Sequence, residues 1–156
     1  MENTEQICAL LEQKCGLFRE YEEATHALLA CELDEMETHV RKREQLAKAI
    51  DGIDRQIEAL CGGSEEWMGA VRNCGNRGDL SAEMAQVYDS AQPVFQIINR
   101  IRREEPLVEK RMSRERDGLE AKIKDSNRST AAQASRYFSG ARGSESALSG
   151  GHFGRV

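Results

Sequence analysis

Apolar side chains recur at three- and four-residue steps along most of the chain, with charged residues between them. In residues 4–31 the apolar positions are Ile7, Leu10, Leu11, Leu17, Phe18, Tyr21, Leu28 and Leu29. This spacing forms one apolar stripe along a helix and leaves the other face to charged side chains. We therefore predict a first amphipathic helix over residues 4–31.

Residues 35–61 have the most regular pattern in the chain. Leu46, Ile53 and Leu60 recur every seven residues, and Ile50 and Ile57 repeat with the same period, offset by four. This heptad pattern is typical of helices that pack side by side. It predicts a second helix over residues 35–61.

The connection between these two helices contains neither Gly nor Pro. We predict a tight turn at residues 32–34, with Asp34 as the N-cap of the second helix. The alternative is one unbroken helix to Leu60, which would be about 85 Å long. In a monomer that helix would leave its apolar stripe without a partner.

Gly62 and Gly63 predict the end of the second helix, and Ser64 predicts the N-cap of a short helical segment. Two further helices are predicted over residues 80–91 and 93–135. The second of them starts at Pro93, a residue favoured in the first helical turn.

The chain after residue 138 is rich in Gly and Ser, which predicts a flexible tail over residues 139–156. Residues 1–138 are predicted to form a single domain of the all-α class. Its architecture is an elongated antiparallel helical hairpin joined by a third long C-terminal helix, as in a coiled-coil-like three-helix bundle. The low aromatic content of 5% fits a thin bundle, because each helix buries only one stripe.

The net charge of −5 is unevenly distributed. Residues 1–98 hold 9 basic and 19 acidic side chains, and residues 99–156 hold 13 basic and 8 acidic ones. In the basic part, Arg and Lys alternate with Glu and Asp at helical spacing, which favours a solvated face with ion pairs over a nucleic-acid-binding surface. We expect no nucleic-acid partner.

No arrangement typical of catalysis is found in the sequence. There is no nucleotide-binding loop, no His-Glu-x-x-His metal motif and no nucleophile motif. The three histidines do not group with the cysteines at zinc-ligand spacing. We predict a protein that is not an enzyme, with no catalytic residues, no cofactor and no metal site.

Five cysteines without C-x-x-C spacing favour free thiols and a reducing compartment. The N-terminus is polar and acidic rather than typical of a secretory signal. No apolar run is long enough to span a membrane. We expect a cytoplasmic protein without a membrane span.

The last long helix is the best candidate for binding another protein, because Glu105 and Glu115 interrupt its apolar stripe and should loosen its packing. A partner helix could lie against the exposed part of this stripe. An alternative is that Leu119, Ile123, Tyr137 and Phe138 complete the core. The predicted partner-binding residues are Val94, Ile98, Ile101, Val108, Met112, Leu119, Ile123, Tyr137 and Phe138.

Three stretches resemble a known family. They are LLACELDEM at residues 28–36, VRKREQL with IDGID at 40–46 and 50–54, and LEAKIK at 119–124 followed by Tyr137 and the Gly/Ser-rich segment. Together they resemble the flagellar export chaperones of the FlgN-like and FliT-like families, over most of residues 5–138.

This resemblance implies a cytoplasmic, non-enzymatic chaperone of flagellar type III export. Such a protein binds the C-terminal helical region of an axial subunit, prevents its premature assembly and delivers it to the export apparatus. The client would be a hook–filament junction protein or the filament cap protein. The family's binding surface corresponds to residues 94–138 here.

A second hypothesis comes from the heptad pattern. A structural coiled-coil adaptor could self-associate through residues 46–60, which would make the protein a homodimer.

Overall fold

The computed structural model describes residues 2–138, with the side chains of residues 2–128 and Thr130. The helices are α1 (Glu2–Ala30), α2 (Met36–Cys61), α3 (Glu65–Val71) and α4 (Ala82–Phe138), with short 3-10 helices at Leu33–Glu35 and Arg77–Asp79. No β-strand occurs in this range, so the all-α prediction is confirmed. The predicted tail, residues 139–156, lies outside the described residues.

Helices α1 and α2 form the predicted antiparallel hairpin. Near its open end, the Asn3 side-chain amide donates a hydrogen bond to the Leu60 carbonyl at 3.5 Å. Towards the turn, the Arg43 guanidinium donates to the Tyr21 hydroxyl at 2.7 Å. Residue numbers therefore rise along α1 while those of the facing residues fall along α2.

The turn predicted near residues 32–34 is present, so α1 and α2 are not one continuous helix. The predicted N-cap is wrong, because Asp34 lies inside the 3-10 helix and Glu35 occupies the N-cap of α2 without a side-chain capping bond. The Glu35 amide donates to the Glu32 carbonyl at 3.0 Å. The tight turn thus uses backbone hydrogen bonds where we expected a side-chain cap.

Two predicted helix boundaries are confirmed after α2. Gly62 has a left-handed backbone with a φ of 59°, and its amide donates to the Glu58 carbonyl. Glycine adopts this conformation without a steric penalty, which is why it ends helices so often. The Ser64 hydroxyl accepts a hydrogen bond from the Trp67 amide at the start of α3.

The first part of α4 is the third helix of the bundle and runs parallel to α1. Arg100 pairs with Glu22, and Glu104 pairs with His26, with the same sequence separation of 78 residues. Arg43 of α2 pairs with Glu105. This region of α4 therefore contacts both arms of the hairpin.

The predicted break before Pro93 is wrong, because α4 continues through both Pro93 and Pro106. A proline inside a helix leaves the carbonyl four residues earlier without its usual donor. Both prolines are exposed, and so are Asp89 and Arg102, whose carbonyls lose that donor. These carbonyl groups lie on the exposed side of α4, where water can hydrate them.

The core consists of three groups of buried side chains. The first joins α1, α2, α3 and α4 and includes Ile7, Leu11, Ile53, Ile57, Val71, Val87 and Ala91. The second contains Cys15, Val94, Ile97 and Ile101, and the third contains Leu28, Met36 and Val108. Full burial of one aliphatic side chain of this size contributes about 1.5–3 kcal/mol to stability.

The chain packs as two units, residues 1–108 and 109–156. Among the described side chains, all of the buried core residues belong to the first unit. In the second unit, none of the described side chains between residues 109 and 128 is buried. The boundary between the two units falls inside α4. It lies within residues 1–138, which we predicted to be one domain, and that single domain stays a prediction.

Among the described residues, no helix combines the length and the apolar character needed to cross a membrane.

Candidate partner-binding surface on α4

Four of the nine predicted binding residues belong to the first unit. Val94, Ile101 and Val108 are buried in the core, with at most 6% of each exposed. Ile98 is half-buried and packs against the second core group. These side chains hold α4 to the hairpin. Val94, Ile101 and Val108 are not accessible to a partner while the bundle is closed, and Ile98 is only partly accessible.

Three predicted residues of the second unit are exposed instead. Met112, Leu119 and Ile123 are 42%, 45% and 38% exposed. The alternative that Leu119 and Ile123 complete the core does not hold for the described part of the chain. The side chains of Tyr137 and Phe138 lie outside the described residues.

Met112, Leu119 and Ile123 lie close together around the axis of α4. At 100° per residue, an α-helix directs these three positions into an arc of about 40°. We call this set the α4 stripe. It spans about 16 Å along the helix at 1.5 Å per residue, which matches three turns of a partner helix.

Among the described side chains of α4, Leu107 is the other large apolar residue that is exposed, with 54% of its surface accessible. It belongs to the first unit, whereas Met112, Leu119 and Ile123 belong to the second. Leu107 therefore does not belong to the α4 stripe, although it has the same chemistry as Leu119 and similar exposure.

Charges of both signs flank the α4 stripe. Arg111 and Glu115 lie four residues apart on one side of it, with 3.9 Å between nitrogen and oxygen. Both side chains are partly buried, and an ion pair four residues apart on one helix contributes only about 0.2–0.5 kcal/mol. A partner that contacts the α4 stripe would therefore bind mainly through its own apolar side chains, with mixed charges at the rim.

The size of the α4 stripe limits the affinity it can provide. Each of its side chains has about two fifths of its surface left to bury. At about 1.5–3 kcal/mol for complete burial of such a side chain, each contact contributes about 1 kcal/mol. Binding through these three residues should be reversible, and a tight complex would need further contacts.

The heptad pattern of α2 is already satisfied within the chain. Leu46, Ile50, Ile53 and Ile57 are all buried, and Leu60 is partly buried against the first core group. The surface required for self-association through residues 46–60 is therefore covered by the protein's own helices.

A polar cluster lies between α1 and α4 in the first unit. Arg100 donates from Nε and Nη2 to the two carboxylate oxygens of Glu22, each at 2.9 Å. His26 Nε2 lies 2.7 Å from a carboxylate oxygen of Glu104. The hydrogen bond from Arg100 lowers the pKa of Glu22 below its ordinary value and raises the pKa of Arg100.

Our sequence prediction gave these four residues no role. Glu22 and His26 are four residues apart and share one face of α1, which is visible in the sequence. Their partners, Arg100 and Glu104, are each 78 positions further along the chain. The pairs form only because α1 and α4 pack in a particular register. A single-sequence pattern does not contain that register.

Comparison with known protein families, characterised proteins and solved structures gives no match for this chain.

Proposed function

We propose that this protein is a cytoplasmic flagellar export chaperone that binds the C-terminal helical region of an axial subunit through the α4 stripe. The observation that supports this most is the exposure of Met112, Leu119 and Ile123 on one narrow face of a helix. Exposed apolar side chains aligned in this way fit an amphipathic helix as partner. The family resemblance supplies the identity of that partner.

The binding residues proposed here are fewer than those predicted from the sequence. Val94, Ile101 and Val108 belong to the core, Ile98 packs against it, and all four are left out. Met112, Leu119 and Ile123 form the described part of the site. Tyr137 and Phe138 are carried over from the sequence prediction alone.

The chemistry of the α4 stripe suits a chaperone that must release its client. Three half-exposed apolar side chains give a modest, adaptable contact with few directional hydrogen bonds. An export client has to be bound reversibly, so that it can then be transferred to the export apparatus. A binding site of about 16 Å would cover a few turns of a client helix and prevent that helix from packing elsewhere.

The alternative, an adaptor that self-associates through residues 46–60, has less support. Its apolar residues are buried inside the bundle, so self-association would require the hairpin to open. A chaperone that binds its client through α4 needs no such rearrangement.

The proposal can be tested with the full-length chain and recombinant axial subunits from the same organism. We expect light scattering to report a 1:1 complex with the hook–filament junction protein or the filament cap protein. A client lacking its C-terminal helical region should remain unbound. Failure of every axial subunit to bind would contradict the proposal, and a concentration-independent homodimer without client would favour the adaptor.

A further inference from the structure

We propose that Glu22, His26 and Glu104 form a binding site for a divalent transition-metal ion of the Zn²⁺ class, which would join α1 to α4. One ligand atom from each residue, two carboxylate oxygens and an imidazole nitrogen, lies within 4.8 Å of the other two. This inference is independent of the proposed chaperone function.

The helices direct all three side chains to one place. Glu22 and His26 are four residues apart and therefore lie on the same face of α1. Glu104 reaches them from the parallel helix α4, with 2.7 Å between its carboxylate and His26 Nε2. Ligands bound to Zn²⁺ at about 2.0–2.2 Å in a tetrahedron lie about 3.3–3.6 Å from one another. Side-chain rotations that move the ligand atoms by about 1–2 Å would bring the three atoms to that spacing.

The donor atoms indicate which ion the site would take. Imidazole nitrogen together with carboxylate oxygen suits Zn²⁺, Co²⁺ and Ni²⁺, whereas Ca²⁺ and Mg²⁺ prefer oxygen ligands alone. Three protein ligands leave one tetrahedral position for water. His26 is exposed and Glu22 and Glu104 are partly exposed, whereas the Oε2 atom of Glu104 is covered in the cluster without an ion.

Arg100 competes with the metal for Glu22. Its guanidinium binds both oxygens of that carboxylate, and it would have to release at least one of them. About half of the Arg100 side chain is exposed, so it has room to move away. The positive charge of Arg100 beside the ion would weaken metal binding. This effect gives a result that only the proposed site predicts. Removal of Arg100 should strengthen metal binding, although it breaks an interhelical ion pair.

Titration of the full-length protein with Co²⁺, followed by visible absorption, tests the site. We expect saturable binding by the wild-type protein and a loss of affinity of about tenfold or more in His26→Gln and in Glu104→Gln. Arg100→Gln should bind Co²⁺ several-fold more tightly than the wild type. His39→Gln is the matched control, because His39 is a partly buried histidine on α2 outside the cluster, and its affinity should be unchanged.

The five free cysteines are the main competing ligands, and absorption separates them from the proposed site. Thiolate ligation of Co²⁺ produces an intense ultraviolet charge-transfer band that carboxylate and imidazole ligands lack. Equal affinities of the wild type and His26→Gln, or a thiolate band at saturation, would overturn the proposal. Absence of Co²⁺ binding by both the wild type and Arg100→Gln would also overturn it, and circular dichroism verifies that each variant is folded.

Discussion

Arg43 is the residue at which all three long helices meet. It is buried, and its guanidinium donates to the Tyr21 hydroxyl of α1 and pairs with Glu105 of α4. The guanidinium carbon also lies 4.7 Å from the centre of the Tyr21 ring, a cation–π distance. In the sequence, Arg43 lies seven residues before Ile50 and so places a charge at a heptad position of α2. Its burial depends on two partners supplied by other helices.

Glu105→Ala is expected to destabilise the protein more than Arg43→Met does. Removal of Glu105 leaves a buried guanidinium without its counter-charge, at a cost of about 1–3 kcal/mol. Methionine at position 43 removes that charge and keeps apolar contacts, so its cost should be smaller. Urea unfolding measures both values, with the exposed Glu109→Ala as control. A larger loss for Arg43→Met than for Glu105→Ala would contradict this interpretation.

Burial alone should separate two isoleucines of equal chemistry. Ile57 is 1% exposed in the first core group, and Ile123 is 38% exposed on the α4 stripe. Ile57→Ala should lower the free energy of unfolding by about 2–5 kcal/mol, because it leaves a cavity. Ile123→Ala should change it by about 0.5 kcal/mol or less. Equal losses in urea unfolding would mean that Ile123 is buried in solution.

At the scale of single elements, the two arms of the hairpin were the most predictable. Heptad spacing in α2 is strong enough to predict its extent, and Gly62 marks its end. The start of α4 was misjudged, because Pro93 is also a common first residue of helices. Hydrophobic periodicity does not distinguish a proline that begins a helix from one that lies inside it.

The loop before α4 is joined to that helix by one ion pair. Arg77 donates from Nε and Nη2 to the two carboxylate oxygens of Asp89, both at 2.8 Å. The hydrogen bond from Arg77 lowers the pKa of Asp89 below its ordinary value. This pKa is lower in the folded protein than in the unfolded chain. At pH values above the ordinary carboxyl pKa, the pair therefore makes its full contribution to the free energy of unfolding. That contribution is lost as the pH falls through the lowered pKa.

Asp89→Asn should therefore reduce the loss of stability on acidification. Urea unfolding at a series of pH values between neutral and about pH 3 measures this dependence. Glu37→Gln is the matched control, because Glu37 forms an exposed pair with Arg41 within α2. If the two variants show the same pH dependence as the wild type, Asp89 does not have the lowered pKa that its pairing with Arg77 implies.

For the whole molecule, the sequence predicted the class of fold better than the extent of the binding surface. The apolar positions of α4 recur at the same spacing from Val94 to Ile123, so the pattern gave all of them one role. The structure separates them, because Val94 and Val108 meet buried groups of the hairpin while Leu119 and Ile123 are exposed. Packing between distant segments determines this difference.

Binding of a client's C-terminal helical region to paired variants of α4, measured by isothermal titration calorimetry, distinguishes a specific stripe from general apolar exposure. We expect Leu119→Asp and Ile123→Asp each to weaken binding about tenfold or more, a loss of about 1.4 kcal/mol. Leu107→Asp, which changes an exposed leucine of the first unit, should bind like the wild type. Equal weakening by Leu107→Asp, or unchanged binding in both stripe variants, would contradict the proposed role of the α4 stripe.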